Sequence, residues 1–180
     1  MVDPNRLTVD EFFAWQSLVE GRYELIDGHI VPHPDYFDAQ GLAAPDTGHA
    51  RIVANLTALL ATQLRPPCRV YTGAGAQVDR VNANIPDVAV SCSEADFDVP
   101  ALREPRFVFE ISSPKTARTD TGRKVGDYLA IATLEAYLFV DRKHGTITVY
   151  RPDAGPQTYD SGSVVSLGSG VSLVAKAVFA

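Results

Sequence analysis

Cysteine is scarce in this sequence, and long apolar runs are missing from it. The 180 residues include two cysteines, Cys68 and Cys92, which do not form the dense framework of a small secreted domain. We therefore predict two reduced, buried thiols. No apolar run reaches the roughly 18 residues of a membrane span. The polar residues 1–6 lack a signal-peptide pattern. These absences favour a cytoplasmic protein with no membrane partner.

Several motifs of known chemistry are also absent. The chain has no P-loop, no glycine-rich dinucleotide fingerprint and no nucleophile elbow. Its histidines and cysteines do not follow the spacing of a zinc site, and His29, His33 and His144 have no convincing partner in the sequence. These kinds of site are therefore disfavoured.

Positive charge is in the minority, because 16 Lys and Arg against 22 Asp and Glu give a formal net charge of −6. Proteins that hold a nucleic-acid backbone usually present a basic face, since neutralising phosphates supplies much of the affinity. The balance argues mildly against tight, non-specific DNA binding and leaves a local basic cluster open. That cluster would contain Arg103, Arg106, Lys115, Arg118, Arg123 and Lys124.

Length and composition fit one globular domain spanning residues 1–180. The hydrophobic fraction of 46% and the charged fraction of 21% are ordinary for such a domain, which excludes disordered and collagen-like classes. Helical and strand patterns are mixed along the chain. This order predicts helices on a largely antiparallel or mixed sheet, of the α/β or α+β class.

Two local signals define the first elements. Thr8 followed by Glu11 has capping-box spacing and predicts a helix over residues 8–17. The pair Asp27-Gly28 lies between two strand-like runs, and this is the strongest short-range signal for a β-hairpin.

A loop and a long helix are predicted next. Residues 32–48 are rich in Pro, Asp and Gly and are predicted to form a loop. Apolar residues at helical spacing predict a helix over residues 49–64, capped by Asp46 or Thr47. We expect this helix to lie across a sheet.

The rest of the chain is predicted to be mostly strands. The predicted strands are residues 69–78, 85–92, 107–112, 136–140 and 146–150. A helix capped by Thr119 or Asp120 is expected to run to Ala132. The strand at 146–150 could be an exposed edge, which makes a homodimer a possibility.

Two carboxylates interrupt apolar strands and are the first candidates for chemistry. Asp87 opens one run and Glu110 lies inside another, where an isolated charge is costly to bury. If the two strands are neighbours, both side chains could meet at one end of the sheet, with the Ile111 carbonyl and Glu24 as further oxygen ligands. Such a set suits Mg²⁺ or Mn²⁺ and metal-assisted phosphodiester hydrolysis. Alternatively, Asp87 only starts a strand and Glu110 pairs with an arginine.

Three basic side chains are further candidates. Lys124 shares a helical face with Asp120 and Tyr128, so it could reach the site to orient or deprotonate water and stabilise negative charge. Alternatively, it is a solvated lysine paired with Asp120. His49 could contact a phosphate, relay a proton or cap the long helix. Lys115 is either a second basic group or an exposed turn residue.

Taken together, these segments resemble the Uma2 family of restriction-endonuclease-like proteins. The matching segments are 23–28 (YELIDG), 49–56 (HARIVANL), 86–90 (PDVAV), 109–116 (FEISSPKT), 137–141 (YLFVD) and 149–151 (VYR), with Asp120, Lys124 and Tyr128. The resemblance spans nearly the whole chain. It implies the PD-(D/E)xK nuclease core, a Mg²⁺ (or Mn²⁺) site at one edge of a mixed sheet, and a nucleic-acid substrate such as DNA.

The resemblance also implies roles for individual residues. Asp87 and Glu110 become the metal-binding carboxylates. The lysine usual two residues after the glutamate is Ser112 here, and Lys124 would supply the displaced amine. The family's other polar positions match Glu24 and His49.

Two segments depart from the family pattern. The loop at 32–48 is longer than expected and could change access to the site, and Leu134-Glu135-Ala136-Tyr137-Leu138 replaces a Val-Pro-Glu-Tyr-Trp run. We predict a metal-dependent endonuclease. The alternative is a non-catalytic interaction module that retains the nuclease fold, which the missing lysine at Ser112 and the acidic balance favour, because a fold does not guarantee activity.

Overall fold

The computed structural model of the chain describes residues 6–33, 36–38, 41–42, 46–113 and 121–180. The helices in these residues are α1 (Val9–Gln16), α2 (Thr47–Ala61), α3 (Arg123–Leu129) and α4 (Ala175–Phe179), with a 3₁₀ helix at Glu94–Asp96. The strands are β1 (Tyr23–Ile26), β2 (His29–Pro32), β3 (Phe37–Asp38), β4 (Gly41–Leu42), β5 (Arg69–Thr72), β6 (Gly75–Gln77), β7 (Ala83–Asn84), β8 (Val88–Ser91), β9 (Ala101–Leu102), β10 (Pro105–Ile111), β11 (Ala136–Asp141), β12 (Thr146–Arg151), β13 (Ala154–Tyr159), β14 (Val164–Gly168) and β15 (Val171–Val174).

Two main sheets are flanked by these helices. The larger sheet has the strand order β13-β12-β11-β10-β8-β5, and the smaller has the order β2-β1-β7-β6-β9. The pairs β10–β11 and β6–β9 are parallel and the other pairs are antiparallel, so both sheets are mixed. This architecture confirms the predicted fold class of a mixed sheet flanked by helices.

The short-range predictions at the start of the chain are confirmed. The Glu11 backbone N–H donates to the Thr8 hydroxyl, and the Glu11 carboxylate accepts from the Thr8 N–H at 2.8 Å, which completes a capping box. Asp27 and Gly28 have φ values of 51° and 78°, as the two central residues of a tight hairpin turn require. They join β1 to β2.

Helix α2 lies across the larger sheet, as expected. Asp46 caps it, because its Oδ1 accepts from the His49 N–H at 2.9 Å. Its buried residues Ile52, Leu56 and Leu60 recur every four positions and pack against strands β5, β8 and β10. This packing forms the main hydrophobic core.

Strand β10 separates two cores. Phe107, Phe109 and Ile111 face the α2 side, whereas Val108 faces a second cluster with Tyr128 and Tyr137. Each fully buried side chain of this size contributes about 1.5–3 kcal/mol to folding. Because successive strand residues alternate between faces, Glu110 falls on the α3 side with Val108.

One predicted strand is divided between the two sheets, so the prediction of a single strand at residues 69–78 was wrong, and a second predicted strand is shorter than expected. Residues 69–78 contain β5 of the larger sheet and β6 of the smaller one, separated at Gly73, which has a φ of +59°. In residues 85–92 the strand begins only at Val88, after Pro86, which cannot donate a ladder hydrogen bond. The preceding strand β7 belongs to the smaller sheet.

Other boundaries also differ from the predictions. Residues 32–48 are not loop throughout, since they contain β3, β4 and the start of α2. Helix α3 begins after Gly122 and ends at Leu129, so it does not reach Ala132. The remaining predictions here concern Lys115, Arg118, Thr119 and Asp120, which lie outside the described residues.

The predicted exposed edge at 146–150 was wrong. Strand β12 pairs with β11 on one side and with β13 on the other, so its backbone groups are covered. The edge is β13, which was not predicted and which carries Pro156, a residue that obstructs further strand pairing. The homodimer stays a prediction without this support.

The expectation of two reduced, buried thiols was also wrong. Cys68 and Cys92 form a disulfide, and both are only half-buried. The cause is the antiparallel pairing of β5 with β8, in which Arg69 lies opposite Ser91 and the next residues outward are the two cysteines.

No helix in the described residues is both long and apolar enough to cross a membrane.

Candidate active site at the meeting of the two sheets

The strands that carry Asp87 and Glu110 are neighbours, which was the condition set by the sequence. Strands β8 and β10 are antiparallel with Val88 opposite Phe109, and this register places Asp87 opposite Glu110. The Ile111 backbone N–H donates to Asp87 Oδ2 at 2.7 Å. The end of the larger sheet therefore holds both carboxylates.

Lys124 lies between two carboxylates from different sheets. Its Nζ is 2.9 Å from Glu110 Oε1 in the larger sheet and 2.9 Å from Glu24 Oε1 in the smaller sheet. The three residues are only 2–3% exposed. The alternative of a solvated surface lysine is therefore wrong, and among the described residues Glu110 forms its ion pair with Lys124.

Tyr128 is a further hydrogen-bond partner of Glu110. It lies one helical turn after Lys124, on the same face of α3, and its hydroxyl donates to Glu110 Oε1 at 2.8 Å. Burial, followed by the charges of Glu110 and Glu24, raises the pKa of Tyr128 well above its usual value. The hydroxyl therefore remains a donor, and the spacing of four residues from Lys124 was the signal that identified its face.

Glu24 is held by cations despite its burial. Arg123 Nη2 lies 3.5 Å from Glu24 Oε2, and His33 Nε2 lies 3.9 Å from Oε1. Burial acts to raise the pKa of Glu24, but the charges of Lys124, His33 and Arg123 and the hydrogen bond from Lys124 together lower it below the usual value. Glu24 is therefore ionised at neutral pH. His33 had no partner in the sequence analysis, and only the fold brings it here.

Arg123 is fixed by a small polar network that the sequence did not indicate. Its Nη2 donates to Asn84 Oδ1 at 3.0 Å, and its Nη1 donates to Asp127 one turn along α3. Asn84 in turn donates to Asp127 at 3.2 Å. The network connects α3 to β7 and thereby holds the smaller sheet beside the Lys124 contacts.

Asp87 and His49 face a cavity at the surface. His49, near the start of α2, places Nε2 at 3.1 Å from Asp87 Oδ1. The Asp87 side chain is 13% exposed, compared with 4% for that of Glu110, so Asp87 is the more accessible carboxylate. The cavity has a volume of about 230 Å³ and is lined by Arg22, Tyr36, His49, Ala50, Val53, Thr72, Gly73 and Asp87.

Ser112, at the position of the family's usual lysine, has a structural contact. Its hydroxyl accepts from the Arg142 N–H at 3.0 Å, and the Arg142 guanidinium donates to both carboxylate oxygens of Asp46 at 2.8 and 3.0 Å. The hydrogen bond from Arg142 is the main reason that the pKa of Asp46 is lowered to about 2. Because Asp46 caps α2, this chain of contacts positions the helix turn that carries His49.

The oxygen atoms fit one mode of magnesium binding. Mg²⁺ is commonly bound through one or two carboxylates together with water and substrate phosphates. Asp87, Glu110 and the Ile111 carbonyl would supply the protein oxygen atoms of such a site. Among the described residues, no group of three or more His, Cys, Asp or Glu side chains could hold a metal ion. Glu24 is engaged by Lys124 in this arrangement. The predicted ligand roles of these four residues stay predictions.

The chain belongs to the Uma2 family, whose model is described as "Putative restriction endonuclease" and matches residues 9–177. A solved structure from Anabaena variabilis ATCC 29413, described as a "putative nuclease belonging to DUF820", is similar over 96% of this chain and 97% of its own. Its TM-score is 0.75 at 21% sequence identity, a likeness that shows the fold. No curated protein matches the chain. The family resemblance noted in the sequence is thus confirmed.

Proposed function

We propose that this protein is a metal-dependent nuclease that hydrolyses phosphodiester bonds in DNA or a related nucleic acid. Family membership supports the nuclease class. The observation that carries the proposal is the burial of Lys124 between Glu24 and Glu110, at the end of the sheet where Asp87 lies opposite Glu110. A fixed ammonium beside paired carboxylates is an arrangement suited to charge stabilisation during hydrolysis.

Asp87, Glu110 and the Ile111 carbonyl would hold Mg²⁺ or Mn²⁺. When bound, the ion would polarise the phosphate and lower the pKa of an attacking water. Asp87 lines the cavity, so a ligand at Asp87 is reachable from solvent. Glu24 is a further candidate ligand, and its observed contact with Lys124 gives it a second role as the residue that orients the ammonium.

The chain's own side chains would provide charge and a proton. Glu24 and Glu110 hold the Lys124 ammonium in place, so it would stabilise negative charge on a nearby phosphate without first reorganising. Tyr128 keeps Glu110 oriented through its hydrogen bond. His49 Nε2, beside Asp87, would hold or transfer a proton for the leaving oxygen.

Calorimetric titration with Mn²⁺ and Mg²⁺ tests the carboxylate site without knowledge of the substrate. We expect saturable binding in the wild type, and loss of that binding in Asp87→Asn and Glu110→Gln. Glu94→Gln is the matched control, because Glu94 is exposed and outside the site, and it should bind like the wild type. Cleavage of labelled DNA in the presence of each ion is then compared across the same variants. Metal binding and cleavage that persist in both site variants would contradict the proposal.

A second candidate is a non-catalytic interaction module with the nuclease fold. One observation favours it: Glu110 Oε1 already accepts hydrogen bonds from both Lys124 and Tyr128, as it would in a purely structural ion pair. A wild-type protein that binds neither ion and cleaves no nucleic acid supports this candidate. A cleavage activity that disappears in Asp87→Asn rules it out.

A further inference from the structure

Arg22 is a half-buried cation at the cavity beside Asp87, and in the part of the chain that the structure describes it has no acidic partner. Its guanidinium carbon lies 4.5 Å from the centre of the Tyr36 ring, in a cation–π contact. Among the described residues, its side chain forms no hydrogen bond and no ion pair. In contrast, Lys124 and Arg123 both contact carboxylates. The donors of Arg22 are therefore available to a ligand.

The guanidinium is held on its other side by a glycine. A Cβ atom at position 73 would lie only 2.0 Å from Arg22 Nη1, so any other residue there would force the guanidinium to move away. The φ of Gly73 is +59°, which also favours glycine. The Gly73 N–H donates to the Asp87 backbone carbonyl at 3.0 Å. The glycine beside the guanidinium is thus hydrogen-bonded directly to the backbone of Asp87.

These contacts make Arg22 a preorganised anion-binding group. Tyr36 and Gly73 restrict the guanidinium, so little side-chain entropy remains to be lost when a ligand binds. A planar guanidinium matches the oxygen atoms of a phosphate through two parallel hydrogen bonds. The cavity that it lines also exposes His49 and Asp87, two residues of the candidate active site.

We propose that Arg22, placed by Tyr36 and Gly73, binds a backbone phosphate of the nucleic-acid strand next to the phosphate at Asp87. The nature of the strand rests on the proposed nuclease function. The role of Arg22 itself is in binding, and it is independent of hydrolysis. Arg22 is therefore a substrate-binding residue that holds the strand in register with the carboxylates.

The test is DNA binding without divalent cations, so that cleavage cannot contribute. Fluorescence anisotropy of a labelled oligonucleotide, as single strand and as duplex, is measured in EDTA over a series of salt concentrations. We expect Arg22→Gln to weaken binding by about tenfold or more and to reduce the salt slope by roughly one. Arg22→Lys should keep the slope and lose part of the affinity, because it keeps the charge without the planar fork.

Two further variants make the result specific. Arg80→Gln removes an exposed arginine that does not line the cavity, and it should affect binding much less than Arg22→Gln. Gly73→Ala should weaken binding by displacing Arg22. The double variant Arg22→Gln/Gly73→Ala should then bind no more weakly than Arg22→Gln alone, because both changes remove one interaction. Circular dichroism confirms that each variant is folded.

The outcomes separate this inference from the proposed function. Wild-type affinity and salt slope in Arg22→Gln would overturn the role of Arg22, as would a wild-type protein that binds neither form of DNA. Neither result affects metal binding at Asp87 and Glu110. Conversely, DNA binding that depends on Arg22 in a protein without metal binding or cleavage supports the inference and refutes the proposed nuclease.

Discussion

Replacing Lys124 with methionine should strongly destabilise the protein at neutral pH. The ammonium neutralises Glu24 and Glu110 at 2.9 Å each, and the three residues are 2–3% exposed. Methionine has a similar length and no charge, so the substitution leaves two carboxylates buried beside each other. Removing one partner of a buried ion pair costs about 3–5 kcal/mol, a large part of the 5–15 kcal/mol typical of a domain.

The destabilisation should depend on pH with a definite sign. In the wild type the pKa of Glu24 is lowered below 4.5, so its contribution to stability is present above that value and is lost as pH falls through the folded pKa. In Lys124→Met the cation is gone and burial raises the pKa instead. The variant therefore regains stability as the pH falls towards the pKa of Glu24 in the unfolded chain. The difference between the two proteins should be largest at neutral pH and should shrink in acid.

Urea unfolding followed by the fluorescence of Trp15, the single tryptophan, measures this difference. We would compare both proteins at about pH 7.5 and about pH 5. The control is Lys176→Met on the exposed side of α4, which should change stability by no more than about 0.5 kcal/mol. Adding Glu24→Gln to Lys124→Met should restore part of the lost free energy of unfolding. Equal stability of the two lysine variants, or a deficit that does not change with pH, would refute the reasoning.

Two other outcomes follow from the structure. Tyr128→Phe removes the buried hydroxyl that donates to Glu110 and should cost about 1.5–3 kcal/mol in urea unfolding, whereas Tyr150→Phe, whose hydroxyl makes no hydrogen bond among the described residues, should be nearly neutral. Because Cys68 and Cys92 form a disulfide, the denatured protein should show no free thiol to Ellman's reagent before reduction and both thiols after it. Reduction should lower the free energy of unfolding by about 3 kcal/mol, and free thiols in the unreduced protein would contradict the bond.

Short-range structure could be predicted because the chain geometry alone determines it. The capping box joins Thr8 to Glu11 over three residues, and the hairpin turn needs only Asp27 and Gly28 in left-handed conformations. Likewise, Lys124 and Tyr128 face the same way because four residues complete about one helical turn. None of these features depends on the rest of the fold.

The alternation of strand residues gave part of the site. It places Glu110 on the opposite face of β10 from Phe109, and the apolar residues around Glu110 predict that its carboxylate is buried. It could not show which groups meet that carboxylate, and Glu110 was equally consistent with an arginine partner. The lysine partner and the tyrosine hydroxyl became evident only when α3 was placed against the larger sheet.

Long-range contacts were decided by the tertiary structure. Glu24 and Lys124 are 100 positions apart and belong to elements that meet only because β1 lies in a second sheet. The division of residues 69–78 at Gly73 has the same origin, since the chain leaves the larger sheet there and makes room for Arg22. A sequence pattern records which face of a strand or helix is apolar. Which faces pack together depends on the free energy of burying all of them at once, and that is a property of the whole fold.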